Sequence, residues 1–296
     1  MALVLSNDDV ASVLTMEACM AALEEGYREE AEGRAVNQLR HDTNMPLVER
    51  TERKARYEFK TMVGILPKRG VAALRMSSTI QVRPLVDGTE RIETLFVGPG
   101  GTTVGLVQLY STETGEPLAF MPDGVIQGMR VGGTYGLAVK YLARADASTM
   151  GLLGSGWQAR FQVAAANVAR KLKLVKVYSP NKAHREGFAL EVGKEYGINI
   201  QPVDTASEAA SGVDVLIAAT NATMPVVTGE FVRRGMHVMA VQNELSDQAI
   251  AKVDLLVAHS SKRYWMHIGG EGQYGKPVPH MPTSIEIGRA SCRERV

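Results

Sequence analysis

The chain is short of the features that assign many proteins to a class at once. Two of its 296 residues are cysteine, Cys19 and Cys292, and neither stands in a metal-ligand spacing, so no disulfide framework is suggested. The six histidines (41, 184, 237, 259, 267, 280) form no HxxxH-like pair, and no metal site is expected. Charge of one sign is missing too. With 33 basic and 32 acidic side chains the formal net charge is +1, which leaves no field to hold nucleic acid or a membrane surface. No run approaches the roughly 18 consecutive apolar residues of a membrane span. The opening MALVLSNDDV has an acidic pair where a signal peptide would carry its apolar core. A soluble cytoplasmic protein is the expectation.

What is present is ordinary globular material, 45% hydrophobic and 22% charged. The length exceeds the roughly 250 residues that one core spans, so two domains are expected. Residues 287–296, at the end of EIGRASCRERV, read as translated sequencing adapter. Glu286 is then the last native residue, the native C-terminus is missing, and Cys292 carries no meaning.

LVLS (3–6) reads as a short strand leading to a polar cap. Thr15 can cap a helix over MEACMAALEEGYREEAEG that Gly33 ends, with Met16, Met20, Leu23 and Tyr27 on one face. Strand candidates follow in RYEFKTMVGIL, VAALRMSSTIQV, RIETLFVG and TTVGLVQLYS, the last ending in a hairpin turn, STETGEP, before LAFM. Residues 1–124 thus read as a sheet-rich α+β domain. A helix over 125–144 links it onward. Its Gly128, Gly132 and Gly136 share a face, which implies either close helix packing or a backbone that approaches a ligand. From 145 to 286 short apolar runs alternate with helices: MGLL, LVKVYS, INIQPV, VDVLIAAT, HVMAV and DLLVAHS. This is the pattern of a Rossmann-type, doubly wound parallel sheet. The fold class expected is therefore α/β, with the sheet-rich domain beside it.

Gly154-Ser155-Gly156-Trp157-Gln158-Ala159 matches G-x-G-x-x-A between a strand and a helix. Gly154 allows the tight turn, Gly156 lets backbone come close to a pyrophosphate, and Ala159 lets the helix lie on the strand. The helix N-terminus supplies free N–H groups and partial positive charge. Dinucleotide binding follows. NAD sites place an acid at the end of the second strand to bind the ribose 2′-OH. The stretch here is Val177-Tyr178-Ser179-Pro180-Asn181-Lys182, with Arg185 behind it and no acid. Ser179 and Asn181 can hydrogen-bond the ribose, while Lys182 and Arg185 can pair with a 2′-phosphate or stand as solvated helix residues. NADP(H) is preferred and NAD(H) possible. Thr220 and Asn221 end the fourth strand, where they can line the nicotinamide or form a plain capping turn. HIGGEGQYGKPVPH (267–280) reads as a lid or as a loop without a catalytic role.

Taken together these stretches resemble the ornithine cyclodeaminase/mu-crystallin family over nearly all of residues 2–286. The resemblance rests on LVLSNDDV with MEACMAALEEGYREEAEGRAVNQLRH, on VGLVQLYSTETGEPLAFM with the arginine helix and KYLAR, and on GLLGSGWQAR. It implies a homodimer whose sheet-rich domain binds a small amino or imino acid. The basic side chains on the substrate carboxylate would be Arg40, Arg75 and Arg130; the alternative for each is a surface ion pair. Two departures stand out. The family commonly has lysine at Arg75; arginine keeps anion binding but stays protonated. The family's catalytic loop aspartate is absent from Gln242-Asn243-Glu244-Leu245-Ser246-Asp247, where Glu244 and Asp247 are the remaining acid–base candidates. The reading is an NAD(P)-dependent enzyme acting on the C–N bond of an amino or imino acid, of imine/ketimine reductase or amino acid dehydrogenase type. The alternatives are ornithine cyclodeaminase chemistry and a non-catalytic, crystallin-like cofactor binder.

Overall fold

Ser6 opens the first helix. Its hydroxyl accepts from the Asp9 amide at 3.1 Å, and Asp9 Oδ2 accepts from the Ser6 amide at 2.8 Å, a reciprocal capping box. This helix, α1 (Asn7–Val13), follows β1 (Leu3–Val4) and is not anticipated from the sequence, because seven residues carry too little apolar periodicity. In this computed structural model the chain is described over residues 1–38, 40–47, 55–86, 88–95 and 104–257. Thr15 caps α2 (Met16–Ala31) as expected, its hydroxyl accepting from the Ala18 amide. Met16 and Met20 are buried, and Leu23 and Tyr27 pack against the same cluster.

The strands β2 (Val36–Asn37), β3 (His41–Pro46), β4 (Arg56–Leu66), β5 (Val71–Val82), β8 (Glu93–Leu95), β9 (Val104–Ser111) and β10 (Pro117–Pro122) join β1 in one sheet. Its order is β1-β10-β9-β5-β4-β2, with β3 on β4 and β8 on β5. All pairs are antiparallel except β1/β10, and the STETGEP turn closes the β9/β10 hairpin. A small antiparallel pair, β6 (Leu85–Val86) and β7 (Thr89–Glu90), lies apart.

The expected helix over 125–144 is α3 (Gly124–Leu142). Beyond it come β11 (Thr149–Leu153), α4 (Trp157–Ala169), β12 (Leu174–Tyr178), α5 (Lys182–Tyr196), β13 (Asn199–Pro202), α6 (Ala206–Ala210), β14 (Val215–Ala218), β15 (His237–Ala240) and α7 (Asp247–Ile250). The five strands are parallel in the order β13-β12-β11-β14-β15, the doubly wound arrangement with its topological switch beside β11. Met150, Leu152, Val175, Val177 and Ile217 are fully buried between the helical layers. Burial of each such side chain stabilises by about 1.5–3 kcal/mol.

Two strand expectations need correction. RIETLFVG is reduced, among the described residues, to Glu93–Leu95, because only those residues find partners on β5. DLLVAHS carries no strand over its described part, 254–257, where Leu255 and Val257 are exposed rather than buried; its remainder and the 267–280 segment lie outside the described residues. The glycine face of α3 proves to be close packing. A methyl at Gly132 would lie 2.5 Å from the Phe161 carbonyl oxygen, one at Gly136 would lie 2.8 Å from Ala165 Cβ, and one at Gly128 would enter the Phe161 ring. Thus α3 and α4 meet almost backbone to backbone. Among the described residues no helix is long and apolar enough to cross a membrane, and no cluster of His, Cys, Asp and Glu could hold a metal.

Candidate functional site

The glycine loop leaves β11 at its carboxyl end. Gly154 has φ +110°, a region L side chains avoid, and a methyl there would strike the Ala219 carbonyl at the end of β14. Its amide donates to the Tyr178 carbonyl at 2.8 Å, which ties the turn to β12. Gly156 is the N-cap of α4. It provides no side-chain cap, and the space where its Cβ would project is open. No acid stands in the first turn of α4, so nothing neutralises the positive end of the helix. Ala159 is 0% exposed and lies flat on the sheet. Ser155 Oγ meets Ser179 Oγ at 2.7 Å. Trp157 is half exposed, set edge-on to Phe161. An uncapped helix end, a tight turn and open space fit a bound diphosphate.

The end of β12 is organised differently from the sequence expectation. Arg185 is buried; it donates to the Ser179 carbonyl at 3.0 Å and pairs with Asp204 at the end of β13. Its charge is therefore already engaged, by an acid 19 residues away that local sequence does not reveal. Asn181 caps α5, accepting from the His184 amide at 3.0 Å. Lys182 is left with a side chain 71% exposed and only a 3.8 Å contact to Glu186.

The second group gathers at the start of α3. The registers Asp42↔Lys60↔Ser77 and Asn44↔Glu58↔Thr79 put these polar residues on one sheet face, and Arg75 shares it. Lys60 pairs with Glu58 at 2.6 Å. Arg40 holds Asp42 Oδ2 with Nε at 3.1 Å and a second nitrogen at 2.7 Å. Arg75 Nε donates to Asp123 Oδ2 at 2.7 Å, and a terminal nitrogen of Arg75 pairs with the same oxygen. Asp123 is 1% exposed and is the N-cap residue of α3, yet its side chain makes no capping bond. Gly105, opposite Ser77, makes the room it occupies: a methyl there would lie 2.7 Å from Asp123 Cβ.

Arg130 completes the group. Its guanidinium has no acid of its own among the described residues. Burial holds it below its ordinary pKa, Arg75 adds to that, Asp123 and Tyr27 oppose it, and Arg40 weakly adds again. Arg75 and Asp123 are in contact, and Arg130 feels the charges of both and of Arg40. Two residues before Arg130 on α3, the Gly128 carbonyl accepts from Gln158 Nε2 of the glycine loop at 3.3 Å, so the helix that carries Arg130 also contacts the nucleotide turn. Further along, Tyr135 donates to the Ala240 carbonyl at 2.7 Å, and Glu244, Tyr27 and Arg130 all act on its phenol.

Glu244 is 0% exposed. Its carboxylate accepts from the Thr220 amide at 2.6 Å, the Thr220 hydroxyl at 2.9 Å and the Gln242 amide at 2.7 Å. Burial nevertheless pushes its pKa up, against the pull of these donors. It joins the loops after β14 and β15 and presents no free oxygen edge to a substrate. Asp247 is exposed in the first turn of α7. The Asn221 carbonyl accepts from the Ile92 amide at 3.0 Å, and the Thr223 hydroxyl donates to the Glu90 carbonyl at 2.7 Å. The loop after β14 is thereby clasped by the sheet-rich part. Sequence reasoning missed Asp123, Gln127, Lys60 and Glu58. The signal for the strand pair was available, since alternate polar residues in RYEFKTM fall on one face; no local signal marked Asp123.

A parallel doubly wound sheet with an open glycine turn, joined to a sheet-rich part, defines the fold of a dinucleotide-binding enzyme. The family model of the ornithine cyclodeaminase/mu-crystallin family matches residues 1–290, and the chain belongs to that family. A Δ1-pyrroline-2-carboxylate reductase of Bacillus cereus is 30% identical over 244 residues, 77% of this chain and 75% of that protein. An alanine dehydrogenase of Archaeoglobus fulgidus is 31% identical over 267 residues, 86% and 73% of the two chains. The structure of Thermococcus litoralis Δ1-pyrroline-2-carboxylate reductase in complex with NADH and L-proline superposes with a TM-score of 0.70 at 29% identity, covering 84% of this chain and 73% of that one. The chain is an enzyme of the oxidoreductase or cyclodeaminase type represented among these relatives.

Proposed function

We propose that this enzyme reduces the C=N bond of an α-imino acid, a cyclic imine carboxylate of the Δ1-pyrroline-2-carboxylate kind, with a nicotinamide dinucleotide as partner. The observation that carries the reading is Arg130: a half-buried guanidinium without an acid of its own among the described residues, electrostatically coupled to Arg75 and Arg40, on the helix whose Gly128 carbonyl, two residues back, the glycine loop touches. A substrate carboxylate held there as a forked ion pair sits beside the nucleotide turn. The nicotinamide, when bound, supplies or accepts the hydride. The chain's own part is positioning: the arginines hold the carboxylate, the α4 N-terminus holds the diphosphate, and Thr220 and Asn221 line the ring beyond β14.

Cyclodeaminase chemistry is the second reading. It is disfavoured by the loop after β15, where Asn243 cannot move a proton and Glu244 is sealed by three donors. NADP(H) is the preferred cofactor, with Lys182 on the 2′-phosphate; no acid follows β12 to claim a 2′-OH, and Arg185 is engaged elsewhere. The organisation proposed is residues 1–124 for substrate and dimer contacts, helix 125–144 as link and 145–286 for the nucleotide. A homodimer is part of the reading, because β4 and β5 are only half-buried along most of their length within one chain.

The test is absorbance at 340 nm with NADPH or NADH and a panel of five- and six-membered cyclic imine carboxylates, and of 2-oxo acids with amines. Consumption of reduced cofactor is expected with the cyclic imines. Ammonia release from a diamino acid without net cofactor change would replace this reading with the cyclodeaminase one. Cofactor binding without turnover on any substrate would make the protein a crystallin-like binder.

A further inference from the structure

The arginine group accounts for a carboxylate but leaves buried acceptors unused, Asp42 Oδ1 and Asn44 Oδ1 on the sheet and two more at the start of α3. Asp123 Oδ1 is buried and has no hydrogen-bond partner among the described residues, although Oδ2 of the same carboxylate is held by Arg75. Gln127 Oε1 is buried and unpartnered as well. The spacing of Asp123, Gln127 and Arg130 along α3 is i, i+4, i+7, so all three lie on one helix face. A buried polar atom without a partner is costly, and nearly all such atoms in proteins are satisfied. The two oxygens can only accept. What satisfies them must donate, and it must do so beside a guanidinium that needs an anion.

We propose that Asp123 Oδ1 and Gln127 Oε1 receive both N–H groups of the amino acid, and that one of them receives the single N–H of the protonated cyclic imine, while Arg130 holds the carboxylate, so that this pair selects nitrogen-bearing carboxylates over isosteric acids without nitrogen. The assignment rests on the functional reading above and adds the substrate's second anchor. Charge supports it. Arg40 is balanced by Asp42 and Arg75 by Asp123, whereas Arg130 is unbalanced, so the face is ready for one carboxylate. An ammonium or iminium nitrogen next to Asp123 then gains a charge-assisted bond. A 2-oxo acid or a carbocyclic acid leaves both oxygens buried and unpaired, which is the strongest form of discrimination a polar site achieves. Gly105 fits the same picture, since any side chain there would push Asp123 out of its place.

The experiment titrates two probes into the enzyme saturated with dinucleotide: L-proline, and cyclopentanecarboxylate, which has the same ring and acid but no nitrogen. Wild type should prefer proline by at least about tenfold. In Asp123→Asn the amide oxygen stays on Arg75 and an NH2 replaces the free acceptor. Proline affinity should then fall about tenfold to a hundredfold, while cyclopentanecarboxylate changes less than about twofold. Gln127→Met should lower proline affinity about threefold to tenfold and again spare the carbocycle; it decides the matter if Asp123→Asn no longer binds dinucleotide. Equal losses for both probes would mean that Asp123 acts only through Arg75, and unchanged proline affinity would mean that the nitrogen lies elsewhere; either overturns the proposal while leaving the reductase reading intact. Wild type that binds neither probe would remove both.

Discussion

Replacing Arg130 with methionine should weaken catalysis and strengthen the fold together. Methionine keeps most of the length and apolar volume of the stem while removing the charge. Each hydrogen bond to a charged group contributes about 1.5–3 kcal/mol, and a forked guanidinium–carboxylate contact makes two. Arg40 and Arg75 remain as partial substitutes, so the net loss is taken as about 3–4 kcal/mol. At about 1.4 kcal/mol per tenfold, kcat/KM should fall about a hundredfold to a thousandfold. The fold should respond in the other direction. Arg130 is half-buried with no acid of its own among the described residues, and Arg75 and Arg40 repel it. Relief of that repulsion and desolvation should contribute about 1 kcal/mol, or about 2–4 °C in melting temperature for a chain of this size. Steady-state kinetics at saturating cofactor, direct titration of the cofactor and a thermal melt give the three readouts. Dinucleotide affinity should not change. A melting temperature that drops along with cofactor affinity would refute the argument, because Arg130 would then be a structural cation; kcat/KM within threefold of wild type would place the carboxylate on other residues.

Four further perturbations follow from the geometry. Gly154→Ala combines a left-handed φ with a collision at the Ala219 carbonyl, so dinucleotide binding should be lost while the sheet-rich part stays folded; retained affinity in a titration would contradict the assigned turn. Gly132→Ala must push α3 from the Phe161 backbone and should cost about 2–4 kcal/mol, read as a lower denaturant midpoint; a neutral result would mean that the helices part easily. His237 is half-buried, and burial, with Arg170 second, lowers its pKa to about 4. Its folded pKa is depressed, so the stability it contributes is complete above about pH 6.5 and is lost as pH falls towards 4, at most about 3 kcal/mol. His237→Leu should flatten that stretch of the stability–pH curve, and an identical curve would rule the residue out. Glu244→Gln turns an NH2 towards donors on Thr220 and Gln242, so the melting temperature should fall by several degrees; loss of turnover with an unchanged melt would instead mark Glu244 as catalytic.

The parts of this molecule that obey local rules were legible in the sequence. The glycine loop announces itself because a tight turn, an open N-cap and a small third residue all fall within six positions, and the βα alternation follows from apolar runs of strand length. The three arginines came from a resemblance; their placement depends on strand register, which brings Arg75 to Asp123 across 48 positions. Asp123 escaped notice because it falls between the stretches read as strand and as helix, and its burial depends on a glycine in another strand. Arg185 was misread for the same reason: its partner sits at the end of the next strand. Pairings that decide a charged residue's role are non-local, whereas the propensities that place it on a helix or strand are local.

The seam between α3 and α4 has a consequence for how this protein can change. A helix that touches its neighbour through Gly128, Gly132 and Gly136, and that is pinned by Tyr135 to the end of β15, behaves as a fixed gauge between the proposed acid-binding face and the glycine turn. Bulkier substrates cannot be admitted by prising the two halves apart. Altered selectivity must come from the strand ends and loops around the gauge, and mutations accumulated during any change of substrate should spare the glycine seam while they rewrite its surroundings.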